Sequence, residues 1–405
     1  MFILTTVNVS VSKRSWMTLE RALLLAVTCL LALLGLAQEH TQVDQDEAER
    51  IEITGNQAIT SCLELMPDGH TLLIGTTQDH PIHVMDTRNW QVLRTIDVDG
   101  YYAGPEVKAS PGGTYLMLRQ RFYIDWKVNK DRLVKHEVID FASGKTMLTI
   151  PEAHDAAIAP DDKHIYSLEG EHVTIRSLPG GEETGRIPVP LARAALAVSP
   201  DGGSIAVSHR PTQPQLETVP SIRNDKRGLK PALKYREMVS IYSTITGKLI
   251  GTIPEVYDVI YDMTFTAAGE RLLIYAIPHL KLNPGVNGQM VGAVRQGIVN
   301  MVEMPAMTPM RTGFLSLMNE PQVEPNLQGD RIALASVDGT INGRKVYVYD
   351  MATGEFTLDL DMNTRWRTDI REKEYHDGGV PYHFLADGRT LVVGSGTWLR
   401  KIITP

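Results

Sequence analysis

The side chains that could support chemistry in this 405-residue chain are few and widely spaced. His80 and His83 form one close pair of histidines, and His376 and His383 form a looser one. Neither spacing matches a metal-binding motif, and no cysteine accompanies either pair. Ser, His and Asp residues are too scattered to indicate a catalytic triad. The sequence therefore predicts no catalytic residue, no metal site and no cofactor.

A basic stretch lies within residues 210–236, on a chain whose formal net charge is −8. Asp225 is the nearby opposing charge. Such a cluster predicts a surface for an anionic partner, whereas a solvated flexible loop would have the same composition. Its candidate binding residues are Arg223, Lys226, Arg227, Lys230, Lys234 and Arg236.

Two other segments, 121–135 and 363–380, place aromatic side chains near cationic ones. This composition is favoured at protein interfaces, although a single Trp is equally compatible with ordinary packing. The candidate binding residues in these segments are Arg121, Tyr123, Trp126, Arg365, Trp366, Arg367 and His376.

The overall composition is that of a globular protein. Hydrophobic residues make up 43% of the chain and charged residues 22%, which excludes disorder or a collagen-like structure for most of it. The net negative charge makes the protein a poor general binder of nucleic acid, so none is predicted as a partner.

Residues 1–37 have the features of a signal peptide. Three basic residues precede an uncharged apolar run at 22–36, which is shorter than the roughly 20 residues needed to cross a bilayer. Gly35 and Ala37 are small, as a signal peptidase requires, and predict cleavage before Gln38. Export to the periplasm or the extracellular space is expected. An uncleaved signal anchor is the alternative, and only then would the protein be held at a membrane.

Cys62 is the cysteine that remains after such cleavage, so no internal disulfide is predicted for the mature chain. It alternates with Leu63 and Leu65 in a strand-like run. This pattern favours a buried apolar side chain over a reactive thiol.

After a polar linker at 38–50, one unit recurs through residues 51–405. It consists of four apolar strands with a tight turn after the first strand and another after the third. Repeats of four strands are too long for a solenoid and fit the blades of a propeller. No long segment shows a helical stripe capped at both ends. The first turn is seen as Pro67-Asp68-Gly69, Pro111-Gly112-Gly113, Pro160-Asp161-Asp162, Pro200-Asp201-Gly202, Ala268-Gly269, Gln328-Gly329-Asp330 and Asp387-Gly388.

Three segments carry a family resemblance: residues 197–202 (AVSPDG), 138–145 (VIDFASGK) and 346–354 (VYVYDMATG). With them, the chain resembles the WD-repeat and YVTN-type superfamily of seven-bladed β-propellers. The Trp-Asp pair of the strict pattern is replaced by pairs such as Tyr349-Asp350, which favours the looser, prokaryotic and exported kind. The resemblance implies an all-β fold, a seven-bladed β-propeller of four-stranded blades.

The last repeat supplies only three convincing strands, near 382–385, 390–394 and 397–403. We expect Ile51 to Thr54 to provide the fourth, so that pairing of the N- and C-terminal strands closes the ring and removes exposed sheet edges.

The long insertions, at 121–135, 210–236, 278–295 and 363–380, all fall in connections that lie on one face of a propeller. This face is predicted to be the working surface of an exported, non-catalytic binding or scaffold protein with a protein or anionic partner. The alternative is an exported propeller enzyme or enzyme subunit, quinoprotein dehydrogenase-like or lactonase-like. Such an enzyme needs a convergent polar set at the mouth of the central channel, and the sequence shows none.

Overall fold

Successive antiparallel sheets build the chain in this computed structural model. The structure describes residues 41–44, 48–120, 123–124, 127–128, 133–223, 225–277, 279, 282, 297–316, 323–337, 344–361 and 380–404. The predicted signal peptide lies outside these residues. Within them, no helix has the length and apolar character needed to cross a membrane.

Seven sheets, each with four antiparallel strands, follow one another as blades. Strands β1 (Thr41–Asp44) and β2 (Glu49–Glu52) precede the first blade. Blade 1 is β3 (Thr60–Leu65), β4 (Thr71–Thr76), β5 (Ile82–Asp86) and β6 (Gln91–Ile96). Blade 2 is β7 (Glu106–Ala109), β8 (Tyr115–Arg119), a hairpin of β9 (Tyr123–Ile124) and β10 (Lys127–Val128), then β11 (Val134–Asp140) and β12 (Thr146–Ala153). Blade 3 is β13 (Asp155–Ile158), β14 (His164–Glu169), β15 (His172–Ser177) and β16 (Glu183–Pro188).

The remaining blades repeat this order, with two helices inserted in blade 4. Blade 4 is β17 (Ala192–Val198), β18 (Ser204–His209), α1 (Gln213–Thr218), α2 (Lys226–Tyr235), β19 (Met238–Ser243) and β20 (Leu249–Thr252). Blade 5 is β21 (Val259–Phe265), β22 (Arg271–Ile277), β23 (Gly297–Glu303) and β24 (Thr308–Ser316). Blade 6 is β25 (Glu324–Pro325), β26 (Arg331–Val337), β27 (Arg344–Asp350) and β28 (Phe356–Asp361). Blade 7 is β29 (Tyr382–Phe384), β30 (Thr390–Ser395), β31 (Trp398–Ile403) and the N-terminal strand β2.

The first strand of each blade is the innermost. Strand β3 contacts β7 and β29, and β17 contacts β13 and β21, so these strands surround a central channel. Every residue of the second strands β4, β8 and β30 is buried, because each of these strands is covered on both faces by neighbouring blades. The outer strand β6 alternates between exposed and partly buried residues, since it lies at the rim.

A separate apolar cluster fills each of the seven gaps between neighbouring blades. Between blades 1 and 2, for example, Leu73 and Val84 pack with Leu116 and Leu118. The corresponding clusters for the other six pairs are equally buried. No blade covers its own faces, so the stability of each blade depends on both neighbours.

The predicted first turns form a ring of inter-blade contacts around one mouth of the channel. Gly113 has a φ of +75°, and a Cβ there would lie 3.7 Å from Pro67 Cδ of the preceding blade. Asp162 takes the glycine position in blade 3, with a φ of 53°. Its carboxylate accepts hydrogen bonds from Ser110 Oγ (2.8 Å) and Gly112 N (3.1 Å) of blade 2. These turns therefore fasten successive blades as well as reversing the chain.

The predicted closure of the ring through the two termini is confirmed. Strand β2 pairs with β31 in antiparallel fashion, with Ile51 opposite Leu399, although the strand spans residues 49–52 instead of the expected 51–54. Strand β1, within the predicted 38–50 linker, adds to blade 6 by pairing in parallel with β28. The chain therefore links the outer edges of two blades before blade 1 begins.

We predict that the closing strand is essential to stability. Ile51 is buried in the cluster between blades 7 and 1, so Ile51→Ala should lower the free energy of unfolding by about 2–4 kcal/mol. Glu52→Ala is the matched control, because this residue lies on the same strand but is exposed, and it should change stability by less than about 0.5 kcal/mol. Equal losses in urea titrations of the two variants would contradict closure through this strand.

Candidate functional site

The predicted working face, which carries the insertions at 121–135, 210–236, 278–295 and 363–380, is called the insertion-bearing face. Of these insertions, the structure describes residues 210–236 most completely. The insertions at 278–295 and 363–380 lie almost entirely outside the described residues, as do Arg121, Trp126, Arg365, Trp366, Arg367 and His376. Tyr123 belongs to β9, for which only the backbone is described. These residues remain predictions.

The 210–236 insertion is not the plain loop that the sequence suggested. It joins the second and third strands of blade 4 and folds into the helices α1 and α2. The Gln215 side chain accepts a hydrogen bond from Thr212 N (2.9 Å) at the start of α1. The Asp225 carboxylate accepts one from Arg227 N (2.9 Å) at the start of α2. Both helices therefore begin with a side chain that satisfies an otherwise free backbone N–H group.

A small apolar core holds the insertion against the propeller. Leu216, Val219 and Ile222 come from the first half of the insertion and Ala232 from α2, and all are at least 93% buried. They pack in one cluster with Met238 and Val256, which belong to the blade region. The insertion is thus fixed to blade 4 by a packed interface, and removing it would expose these apolar surfaces.

The basic residues of the insertion divide into two groups. Arg223, Arg227, Lys230 and Lys234 are exposed. Of these, Arg227, Lys230 and Lys234 are spaced by three and four residues along α2, so they share one side of the helix. Lys226 is also in α2, but its side chain is not described. Arg236 differs because its Nε lies 3.4 Å from Asp258 Oδ1, which engages it in an ion pair with the start of blade 5.

A second polar site, which the sequence analysis missed, lies in the central channel. Most of its charged residues occupy equivalent positions in the blades, three or five residues before the position that Pro67 holds in blade 1. These positions lie on the innermost strands and, being two residues apart, point to the same side of the strand. A comparison of the repeats at these two positions would have found the site. The nearer position holds Glu64, Lys108, Ala157, Ala197, Thr264, Glu324 and His383, and the deeper one includes Glu106, Asp155 and Asp262.

Arg119 is the centre of one ionic group in the channel. Its Nε donates to Glu106 Oε2 (2.5 Å) and its Nη1 to Asp155 Oδ1 (3.2 Å). Asp155 Oδ2 also accepts a hydrogen bond from Leu196 N of blade 4 (2.9 Å). Asp155 of blade 3 therefore ties blades 2, 3 and 4 together. Burial raises the pKa of Asp155 to about 6, against the opposing effect of Arg119.

His383 is the centre of the second ionic group. Its Nε2 lies 3.0 Å from Glu324 Oε1 of blade 6 and 3.7 Å from Glu64 Oε2 of blade 1. Its Nδ1 donates to the Phe384 carbonyl (2.6 Å) and its Nε2 faces the two carboxylates, an arrangement that favours the imidazolium. Burial opposes this charge, but Glu324 and then Glu64 outweigh it and raise the pKa of His383 to about 9. Burial raises the pKa of Glu64, with His383 opposing.

Two cavities, of about 320 Å³ and about 340 Å³, lie along the channel and share Lys108, Thr264 and Phe265. Both reach the first turns at the mouth opposite the insertion-bearing face. The convergent polar set that the sequence analysis did not find is therefore present, because strands distant in sequence bring it together. Among the residues that the structure describes, no group of three His, Cys, Asp or Glu side chains is placed to hold a metal ion.

Of the histidines and the cysteine considered in the sequence analysis, His383 belongs to this channel site, whereas Cys62 and His83 lie elsewhere. Cys62 is buried, as predicted, and its Sγ accepts a hydrogen bond from Val107 N of blade 2 (3.2 Å). His83 is buried in β5, and burial lowers its pKa.

No protein-family model matches this chain, and no curated protein matches its sequence. Solved structures do resemble it. The β-propeller domain of Cps50 (Swd1) from Myceliophteria thermophila is 13% identical, has a TM-score of 0.57, and covers 88% of this chain and 100% of that domain. Hydrazine synthase from Kuenenia stuttgartiensis is 15% identical, has a TM-score of 0.52, and covers 87% of this chain and 97% of that one. At these identities the likeness supports a β-propeller fold and nothing finer.

We predict that His383 stabilises the ring in a pH-dependent way. Because its pKa is raised from 6.5 to about 9 on folding, its contribution is complete below pH 6.5 and is lost as the pH rises through 9. His383→Gln should therefore cost about 3 kcal/mol at pH 7, and the difference from the unmodified protein should shrink towards pH 10.

Thermal unfolding from pH 6 to 10 measures this difference. His172→Gln, at a half-exposed position on β15, is the control and should give no comparable trend. A cost of His383→Gln that stays constant over this range would contradict the assignment of an imidazolium.

Proposed function

We propose that this protein is an exported, non-catalytic propeller that binds an acidic protein surface through its insertion-bearing face. The observation that carries the proposal is the folded insertion at 210–236, which presents exposed basic residues from a fixed position on an acidic protein. The proposed relationship is to the looser, prokaryotic kind of WD and YVTN repeat proteins.

The packing of the insertion supports a binding role. A helix held in place by its own core loses little conformational freedom when a partner binds, which lowers the cost of association. Propeller blades can be joined by turns of a few residues, so the insertion is not needed to complete blade 4. A folded element that the blade does not need for its own completion is well suited to present a binding surface.

The charge of the insertion indicates the class of partner. Arg227, Lys230 and Lys234 lie on one side of α2, and Arg223 precedes it, without an acidic residue inside the helix. This patch attracts anionic surfaces within a Debye length of about 8 Å at physiological ionic strength. We favour an acidic protein, because a structured helix offers fixed spacing of charges as well as net charge. The predicted residues Arg121, Trp126, Trp366 and His376 would extend the same face.

The proposal of export rests on residues 1–37, which have the charge and apolar pattern of a signal peptide. Intact-mass measurement of the exported protein distinguishes a chain that begins near Gln38 from one that retains its N-terminal segment as an anchor.

We predict that reversing the charge of α2 weakens binding to an acidic surface. The triple variant Arg227→Glu, Lys230→Glu, Lys234→Glu should bind poly-L-glutamate at least about tenfold more weakly, since each exposed ion pair contributes roughly 0.5 kcal/mol. The loss should decrease as salt is raised. Fluorescence anisotropy of labelled polymer provides the measurement.

The matched control is Lys145→Glu, Lys163→Glu, Lys248→Glu, which makes the same change in net charge at exposed turns on the opposite face. It should retain most of the affinity. Equal weakening of both triple variants would show that net charge alone governs binding, and no weakening in either would exclude α2 as the binding surface.

A further inference from the structure

Lys108 stands apart from the other cations of the central channel. Arg119 and His383 are each held between two carboxylates, whereas the Lys108 ammonium makes no hydrogen bond or close ion pair with any residue that the structure describes. Asp262, and more weakly Asp155 and Glu64, act on it from a longer distance and raise its pKa against burial and Arg119, so the group is protonated at neutral pH. An ammonium has three N–H donors, and here they are available to water or a ligand.

The space around Lys108 results from small side chains at equivalent positions. The residues equivalent to Lys108 in blades 3, 4 and 5 are Ala157, Ala197 and Thr264. These side chains leave the channel open beside Lys108, and all three line the cavity of about 320 Å³. This cavity is within the range of volumes that hold small ligands.

The walls of this cavity are mainly apolar. Leu196, Val198, Met263 and Phe265 line it together with three prolines of the first turns. The two carboxylates in its lining, Glu106 and Asp155, already accept hydrogen bonds from Arg119. The Lys108 ammonium is therefore the hydrogen-bond donor that a ligand in this cavity would meet, and the apolar walls favour an apolar group on the ligand.

We propose that the channel binds a small organic monocarboxylate, with its carboxylate on Lys108 and its apolar body against Phe265 and Met263. A protonated amine would bring a second cation next to the Lys108 ammonium, which repels it. A phosphate monoester would bring a second negative charge close to Glu106 and Asp155, without a second free cation to neutralise it. This site is independent of the insertion and opens towards the opposite face.

Isothermal titration calorimetry of the protein with hexanoate, and separately with phenylacetate, tests the proposal. We expect saturable binding with a Kd of about 1 mM or tighter. Lys108→Gln should weaken binding by about tenfold to a hundredfold, because a charge-assisted hydrogen bond is lost. Lys163→Gln, at an exposed first-turn position near the same mouth, is the matched control and should bind normally.

A ligand series tests the same point without any change to the protein. Hexanamide has the same alkyl chain as hexanoate, and hexylamine has the same number of carbon atoms. Both lack the negative charge, so neither should bind in the range where hexanoate does. This comparison remains decisive if Lys108→Gln does not fold. No saturable binding of either carboxylate, equal binding of the amide or the amine, or unchanged binding by folded Lys108→Gln would each overturn the proposal.

Discussion

Apolar packing between neighbouring blades is the constraint on which the rest of this structure depends. The second strand of a blade is buried on both faces, as in β4 and β30, so each blade needs a neighbour on either side. A row of such blades would leave an apolar face at each end unless its ends met. The chain meets this requirement with β2, which completes blade 7 and brings Ile51 into contact with the cluster of blade 1.

Closure of the ring brings charged side chains together at its centre. The innermost strands converge there, and charged side chains on them lose water and must find partners across blade boundaries. Arg119 and His383 each pair with carboxylates from two different blades. This pairing raises the pKa of His383 despite its burial. Blades 3 to 5 place small residues at the same level. The channel therefore combines structural ion pairs with an open space next to Lys108.

Most of the fold was predictable because its signals are local. Turns such as Pro67-Asp68-Gly69 and strands with apolar alternation repeat often enough to define blades, and the three strands of the last repeat implied closure. The helical insertion was harder to predict because α1 is only six residues long and because Gly228 and Pro231 obscure the pattern of α2. The channel site depends on residues such as Glu64 and His383, which are far apart in sequence. It becomes visible only when the repeats are aligned position by position.

The insertion in blade 4 is a folded platform and not a loose loop. Arg236 N donates to Ala232 O (3.0 Å) at the end of α2, and Ala232 is buried against blade 4. Hydrogen exchange of the protein distinguishes these two states of the insertion. We expect amides in the second half of α2 to exchange on the order of a hundredfold more slowly than unstructured amides, because the helix opens only when its core separates from blade 4. Exchange at the rate of an unstructured chain throughout residues 226–236 would contradict this expectation.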